Sequence, residues 1–203
     1  MVPYNLPPAF KSRFGSILYW LEADLDIYGL FNKKRRFPIQ VNTNYDLNLY
    51  HLLCQPQQKD AIKCYGVFEK EQVVIRTTTN KKAYSIGETI ECIVNVETSC
   101  PDRYVKSIEV SLLKAVEYIT RTSRKETNKF LVPNKVPICE RTRETFLKTS
   151  IQVPETDPSF KTQNLYVSYF VMIKVRINGT IYDNYPEVLL PVQIGTLPIM
   201  SYS

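Results

Sequence analysis

Few side chains in this sequence have the types and spacing that catalysis requires. His51 is the only histidine, and there is no Gly-x-Ser-x-Gly elbow, phosphate-binding glycine loop or paired carboxylate spacing to support acid–base or nucleophilic chemistry. His51 and Cys54 have the spacing of half a metal site, but no second pair at zinc-like spacing completes it. We therefore predict no catalytic, metal or cofactor site, and interpret His51 as a histidine of a connecting segment beside Leu52 and Leu53.

Two groups of residues remain as candidates for binding. The first is a run of four cations, Lys33, Lys34, Arg35 and Arg36, in a polar stretch that is typical of a loop; it is either simply solvated or a contact for an anionic surface. The second is Cys100, a thiol in a turn-forming Ser-Cys-Pro-Asp sequence. The net charge of +6 permits an acidic partner, but we predict no nucleic-acid binding.

The cysteine content and hydropathy indicate a cytosolic chain. Five cysteines are an odd and widely spaced set, which favours reduced thiols over a disulfide framework. The sequence contains no run of about 18 apolar residues, and its start lacks the apolar core of a signal peptide. We expect a cytoplasmic protein, either free in the cytosol or peripheral at the plasma membrane or at endosomes.

Alternation of apolar residues predicts long strands in the second half of the chain. It extends from Leu165 to Ile177, and only a strand keeps a period of two over that length. A hairpin turn at Asn178-Gly179 leads into a return strand over 182–192. A second alternation over residues 90–96 places Cys92 in the core, and a third strand follows from Val105 to Tyr118, with Ile108 on its inner face.

Other segments complete an all-β organisation. Short strands are predicted at 65–68, 73–78, 135–139 and 145–151, and the polar run 121–128 is typical of a hairpin loop. Near the start, a strand over Gly15–Leu25 and its antiparallel partner over Arg36–Val41 predict a two-stranded ribbon. We predict three parts: the ribbon (1–41), a polar linker (42–63) and an antiparallel β-sandwich of immunoglobulin size (64–198).

Several segments, in order, resemble the arrestin family in the style of the α-arrestins, or arrestin-domain-containing proteins. Residues 6–25 resemble the late strands of the arrestin N-domain, and Asp46-Leu47-Asn48 is similar to the interdomain connection. Residues 84–90 resemble the start of the C-domain, and residues 189–198 resemble the strand that closes it. The resemblance implies an arrestin C-domain sandwich preceded by a partial N-domain ribbon.

The resemblance also implies a function. Arrestin-like adaptors bind cytoplasmic parts of membrane proteins in endocytic trafficking and ubiquitin-linked sorting, through loops and edge strands. The Pro-Pro-x-Tyr motif through which α-arrestins recruit ubiquitin ligases is absent from this sequence, and Pro7-Pro8-Ala9-Phe10 lacks the required tyrosine. The position of Cys100 is similar to that of a cysteine with which one α-arrestin binds thioredoxin, so a thiol-dependent redox regulator is an alternative. A further alternative is an incomplete gene product without independent function.

The partial N-domain leads to an expectation about folding. A ribbon without its facing sheet would leave apolar faces exposed. The sandwich, at about 135 residues, is long enough to bury a core of its own. We therefore expect the sandwich to fold independently, with a thermal transition that removal of Met1–Val41 leaves unchanged.

Overall fold

The computed structural model describes residues 6–25, 33–43, 45–47, 51–65, 71–100, 102–179 and 184–197. Two sheets face each other over this part of the chain and form a β-sandwich, and a ribbon and a short N-terminal hairpin accompany it. The predicted all-β class is therefore confirmed. Among the described residues, no helix has the length and apolarity that crossing a bilayer would require.

The larger sheet has six strands, which are β7 (Ala83–Ser85), β9 (Val105–Ile119), β10 (Arg124–Pro137), β12 (Phe160–Lys161), β13 (Leu165–Ile177) and β14 (Glu187–Gly195). Their order in the sheet is β10-β9-β13-β14-β7, with β12 beside β13. All neighbours are antiparallel except β7 and β14, which run parallel. The smaller sheet has the order β11-β8-β6-β5, with β5 (Gln57–Tyr65), β6 (Glu71–Thr79), β8 (Thr89–Thr98) and β11 (Glu144–Gln152).

The core lies between the two sheets and is built from the alternations that the sequence displays. Every second residue of β13 from Leu165 to Ile177 is buried, and so are Cys92 on β8 and Ile108 on β9. Side chains of an antiparallel strand alternate between its two faces, so each alternation supplies one wall of the core. These predictions are confirmed. Burial raises the pKa of the Cys92 thiol to about 12, because the apolar core disfavours the thiolate.

The long hairpin of β9 and β10 differs from the prediction. The chain turns over residues 120–123, and β10 begins at Arg124, so most of the predicted loop 121–128 is strand. Lys125 pairs in register with Tyr118, and Lys129 with Lys114. A polar strand is stable here because β10 is an edge strand of its sheet, where charged side chains remain in water.

The predicted linker 42–63 is wrong over its second half, because β5 begins at Gln57 and pairs with β6 along its whole length. Lys59 donates to the carbonyl oxygen of Leu189 at 2.9 Å, and Lys63 donates to the side chain of Asn184 at 2.5 Å. Polar side chains of β5 thus bind carbonyl groups along the β14 side of the sandwich. The hydropathy pattern does not reveal β5 as a strand, because its polar residues donate hydrogen bonds to the facing sheet.

The first half of that segment also contacts the sandwich. Leu47 is fully buried and packs on Gly195 at the end of β14. A Cβ atom at position 195 would lie 2.5 Å from Cγ of Leu47, so only glycine leaves room for the leucine. Leu53 and Cys54 follow in a 3₁₀ helix, His51–Cys54. The backbone oxygen of Leu53 accepts a hydrogen bond from Lys82.

The N-terminal region forms two small antiparallel pairs. β1 (Phe10–Lys11) pairs with β2 (Ser16–Ile17), and β3 (Tyr19–Leu25) pairs with β4 (Lys33–Ile39). The predicted ribbon is therefore present, but the strand predicted over Gly15–Leu25 is interrupted at Leu18, and its partner spans Lys33–Ile39 instead of the predicted Arg36–Val41. Phe10 belongs to the main core, so this region contributes a side chain to the sandwich.

Candidate functional site

The residues that the sequence singled out lie on separate elements. Lys33, Lys34, Arg35 and Arg36 were predicted in a loop, but they form the first half of β4. These residues form a strand because each of them pairs with a residue of β3, beginning with Lys33 opposite Leu25 and ending with Arg36 opposite Glu22. Cys100 lies in the turn that follows β8 and is partly exposed, as expected.

The turn around Cys100 is held by backbone and side-chain contacts. The Ser99 hydroxyl accepts a hydrogen bond from the Gln72 backbone at 2.7 Å. Arg103, the nearest cation in sequence, forms an ion pair with Glu71, and its guanidinium lies 4.7 Å from the centre of the Tyr65 ring. The side chain of Arg103 thus contacts Glu71 and Tyr65, and not the thiol of Cys100. The interpretation of Cys100 as a partner thiol stays a prediction.

The outer face of the large sheet carries an apolar band that no single segment of the sequence displays. Phe130 on β10 pairs with Leu113 on β9, Leu113 pairs with Phe170 on β13, and Phe170 pairs with Pro191 on β14. These four residues form one row across four strands. Phe130 is 54% exposed, and Leu113 is covered but lies outside the core cluster.

A second row runs beside the first. It contains Pro133, Ser111, Met172 and Leu189, joined by the same registers. Ser111 is fully buried there, and its hydroxyl has no hydrogen-bond partner among the described residues. We name the two rows together the apolar band.

Polar rows flank the apolar band on both sides. One contains Lys135, Glu109, Lys174 and Glu187 in register, where the charges alternate in sign. The other side begins with Asn128, Ala115 and Ser168. Within the band, Phe130, Pro133 and Pro191 are exposed, whereas Leu113, Ser111 and Met172 are buried. Exposed apolar side chains with a polar rim are typical of a surface that binds another molecule.

A groove of about 660 Å³ opens at the β13–β14 end of the apolar band. Its walls include the rings of Phe160, Tyr166 and Phe170, and Pro191. At the edge of the groove, the side-chain amide of Gln57 donates a hydrogen bond to the carbonyl oxygen of Pro191 at 3.1 Å. The volume is in the range of ordinary ligand sites, and the walls suit an apolar side chain.

The rim of the groove is positive. Lys82 and Lys161 belong to the lining, and no carboxylate is among the described residues that line the groove. The ammonium group of Lys161 lies 4.8 Å from the centre of the Tyr166 ring. A ligand that carries a carboxylate next to an apolar side chain would therefore meet complementary positive charge in this groove.

Sequence reasoning missed the apolar band because it depends on strand register. Its members lie far apart in the chain and become neighbours only when β10, β9, β13 and β14 align. One signal was available: β13 has Tyr166, Phe170 and Met172 in the phase opposite to the core residues. Apolar residues in both phases of a strand indicate that both of its faces are covered or bind something.

Comparison with known proteins identifies the class of this fold. Residues 69–199 match the family model described as arrestin (or S-antigen), C-terminal domain. The match spans well over half of the chain and includes β6 to β14. The chain therefore belongs to the arrestin C-terminal domain family, and the resemblance inferred from the sequence is confirmed at the level of the family.

A solved structure with a similar arrangement is Spo0M, a sporulation control protein from Bacillus subtilis. It is 14% identical over 62% of this chain, with a TM-score of 0.46. The alignment covers 50% of the Spo0M chain, so this chain spans about half of that structure.

Proposed function

We propose that this chain is an α-arrestin-type adaptor that binds cytoplasmic segments of membrane proteins during endocytic sorting, without catalysing a reaction. The apolar band with its groove is the observation that carries the proposal. Membership of the arrestin C-terminal domain family supports a binding role.

The geometry of the apolar band favours an extended peptide as its ligand. Strands of a sheet lie about 4.8 Å apart, so a row across four strands is about 14 Å long. An extended segment of four or five residues has this length. Its apolar side chains would lie along the band, one of them in the groove, and an acidic neighbour would approach Lys82 and Lys161. The ligand would therefore be a short segment that combines apolar and acidic residues.

An array of immobilised hexapeptides with alternating apolar residues, with and without flanking glutamates, tests this proposal. Phe130→Asp removes an exposed member of the band, and we expect it to weaken binding about tenfold or more, as loss of an aromatic anchor does. Phe146→Asp is the matched control, because Phe146 is 69% exposed on β11 of the other sheet. Equal binding by the wild type and Phe130→Asp, or an equal loss in both variants, would contradict the proposal.

The basic run 33–36 enters the proposal as a contact with the anionic inner surface of a membrane. Its placement on β4 changes which of the four cations are available, because neighbours in a strand point to opposite faces.

A further inference from the structure

The edges of the two sheets differ in how far they are protected against pairing with another strand. In the larger sheet, β10 carries a bulge and two prolines, Pro133 and Pro137, and β7 is only 3 residues long. In the smaller sheet, β5 is joined to the facing sheet by Lys59 and Lys63. Bulges, prolines, short length and cover by other elements are the usual protections of an edge. β11, at 9 residues, has no proline and no register shift against β8, so it is the long edge that lacks them.

Alternate residues of β11 direct their backbone groups away from β8. The backbone oxygen of Arg143, directly before β11, accepts a hydrogen bond from the amide of Thr98 on β8 at 2.8 Å. In an antiparallel pair, residues that bond to the neighbouring strand alternate with residues whose N–H and C=O groups point away from it. The backbone groups of Glu144, Phe146 and Lys148 therefore point to the outer edge of the sheet.

Only part of this outer edge is occupied within the chain. The backbone oxygen of Ser150 accepts a hydrogen bond from the side chain of Asn134 at 3.4 Å, and that of Glu144 accepts one from a neighbouring hydroxyl at 2.6 Å. Among the described residues, the outward backbone groups of Phe146 and Lys148 have no partner. A carbonyl oxygen has two lone pairs, so that of Glu144 can accept a second hydrogen bond. We name residues 144–148 the open segment.

The open segment lies at the end of the sandwich opposite to the N-terminal hairpin. Glu144 pairs with Glu97 near the end of β8, and the turn that follows leads into the start of β9 at Val105. The hairpin bonds to the other end of β9, where the Tyr118 hydroxyl donates to Ser12 at 2.8 Å. These two ends of β9 are about 45 Å apart, at about 3.4 Å per residue. The exposure of the open segment therefore does not depend on the N-terminal strands.

We infer that two copies of this chain pair through the open segment, antiparallel and centred on Phe146, so that their smaller sheets join into one sheet. The inference goes beyond the proposed function and does not rest on it. In this register, Phe146 lies opposite Phe146 of the second copy, and Glu144 lies opposite Lys148 on both sides of that pair. The three side chains are exposed on the outer face of the sheet, and Phe146 is 69% exposed. Side chains directly opposite in an antiparallel pair are close enough for aromatic and charge contacts.

Charge selects both this register and a second copy as the occupant. Neither Glu144 nor Lys148 has a salt bridge among the described residues, and Arg76, whose charge Glu144 also affects, pairs with Glu97. A register centred on Lys148 or on Glu144 would place like charges opposite each other, which destabilises the pair. Lysine on an edge strand normally discourages pairing, but here it favours one register over the others. A two-fold axis supplies the complementary sequence to both copies.

Charge reversal tests the inference, with dimerisation of the full chain followed by analytical ultracentrifugation from about 1 μM to about 1 mM, a range that includes weak interfaces. Glu144→Lys alone places lysines opposite each other at both ends of the pair, and we expect it to weaken dimerisation about thirtyfold. Lys148→Glu alone should have the same effect. Glu144→Lys with Lys148→Glu should restore the dimer, and so should mixing the two single variants, which complement each other.

Glu91→Lys is the matched control. It makes the same charge change at an exposed position of β8, in the same sheet but away from its edge, and dimerisation should be unchanged. A wild type that stays monomeric over the whole range would overturn the inference. Single reversals that behave like Glu91→Lys, or a double reversal that stays as weak as the single ones, would overturn it as well.

Amide hydrogen exchange reports the register independently of charge. The amides of Phe146 and Lys148 point to the open edge, whereas those of Thr145 and Leu147 point to β8. We expect protection of the first two amides to rise with the concentration of the chain, and protection of the other two to be high at every concentration. In Glu144→Lys, the concentration-dependent rise should be lost. Dimerisation without a change at Phe146 would place the contact elsewhere and contradict the inference.

The tests of the open segment and of the apolar band can be kept separate. Phe146→Asp, the control in the peptide test, should also be monomeric, because it places two carboxylates at the centre of the pair. The peptide array is therefore read at concentrations at which the wild type is monomeric. Peptide binding by a wild type that never dimerises would leave the adaptor proposal intact and end this inference. Pairing of the open segment with an unrelated extended peptide, without a dimer, would also overturn the inference.

Discussion

The ring of Phe10 meets the ring of Phe160 edge to face, with centroids 5.7 Å apart and an interplanar angle of 71°. Phe10 is 4% exposed and belongs to the main core, and Phe160 packs against that core at its rim. The ammonium of Lys114 lies 5.6 Å from the centre of the Phe10 ring. A residue of the N-terminal hairpin therefore closes one end of the sandwich.

This contact predicts that the sandwich depends on the N-terminal region. Phe10→Ala should lower the free energy of unfolding by about 3–5 kcal/mol, the usual cost of deleting a buried phenylalanine. Leu21→Ala is the control, because Leu21 is 61% exposed, and it should change stability by less than about 0.5 kcal/mol. Urea unfolding followed by circular dichroism measures both values.

The outcome also decides how the chain is divided. Removal of Met1–Val41 should lower the thermal midpoint of the sandwich if Phe10 contributes as described. An unchanged midpoint, together with a small effect of Phe10→Ala, would restore the sequence-based expectation of an independent sandwich. We propose that the folding unit begins before Gln57 and includes Phe10.

The fold was predictable where burial and strand pairing act together on one segment. Leu165 to Ile177 alternates strictly because one face lies in the core, and β8 does the same around Cys92. The sequence was misleading for β4 and for β5. Lys33 to Arg36 look solvated, and they remain exposed, but pairing with β3 makes them a strand. In β5 the alternate positions are polar donors to the facing sheet, so the hydrophobic pattern that marks a strand is absent.

The candidate site was predictable only in part for the same reason. The position of Cys100 in a turn follows from local sequence. The division of the basic run between two faces follows from its strand phase, which a loop prediction cannot contain. The apolar band depends on the register between Phe130, Leu113, Phe170 and Pro191, which is fixed by the whole sheet.

The buried thiol of Cys92 predicts a dependence of stability on alkaline pH. Burial raises its pKa from 9.0 to about 12, so above pH 9 the unfolded chain loses a proton that the folded chain retains. Stability must then fall as the pH rises between these two values. Between pH 8 and pH 10 the loss from this one group should be about 1.4 kcal/mol.

Urea unfolding at pH 8, 9 and 10 measures this effect. Cys92→Ala should be less stable at every pH because of the cavity, but its stability should fall less steeply over this range. Cys64→Ala, at an exposed position, should keep the wild-type slope. Burial also raises the pKa of Tyr84 and Tyr169, and both variants retain these tyrosines. Equal slopes for the wild type and Cys92→Ala would contradict the prediction.

Two threonines on the inner face of β6 offer a matched comparison of buried hydroxyls. Thr77 and Thr79 are both fully buried. The hydroxyl of Thr79 donates to the carbonyl oxygen of Lys81 at 3.0 Å, whereas that of Thr77 has no partner among the described residues. A buried polar group without a partner costs about 1–3 kcal/mol, and a paired one contributes about 1 kcal/mol.

Replacement by valine, which has nearly the same shape, should therefore have opposite effects at the two positions. We expect Thr77→Val to raise the free energy of unfolding by about 1 kcal/mol, because it removes an unpaired hydroxyl from the core. Thr79→Val should lower it by about 1 kcal/mol, because it removes a donor and leaves the Lys81 carbonyl with one partner fewer. Thermal and urea unfolding of the two variants at pH 7 give both values. A loss of stability in Thr77→Val equal to that in Thr79→Val would mean that the Thr77 hydroxyl is paired in solution.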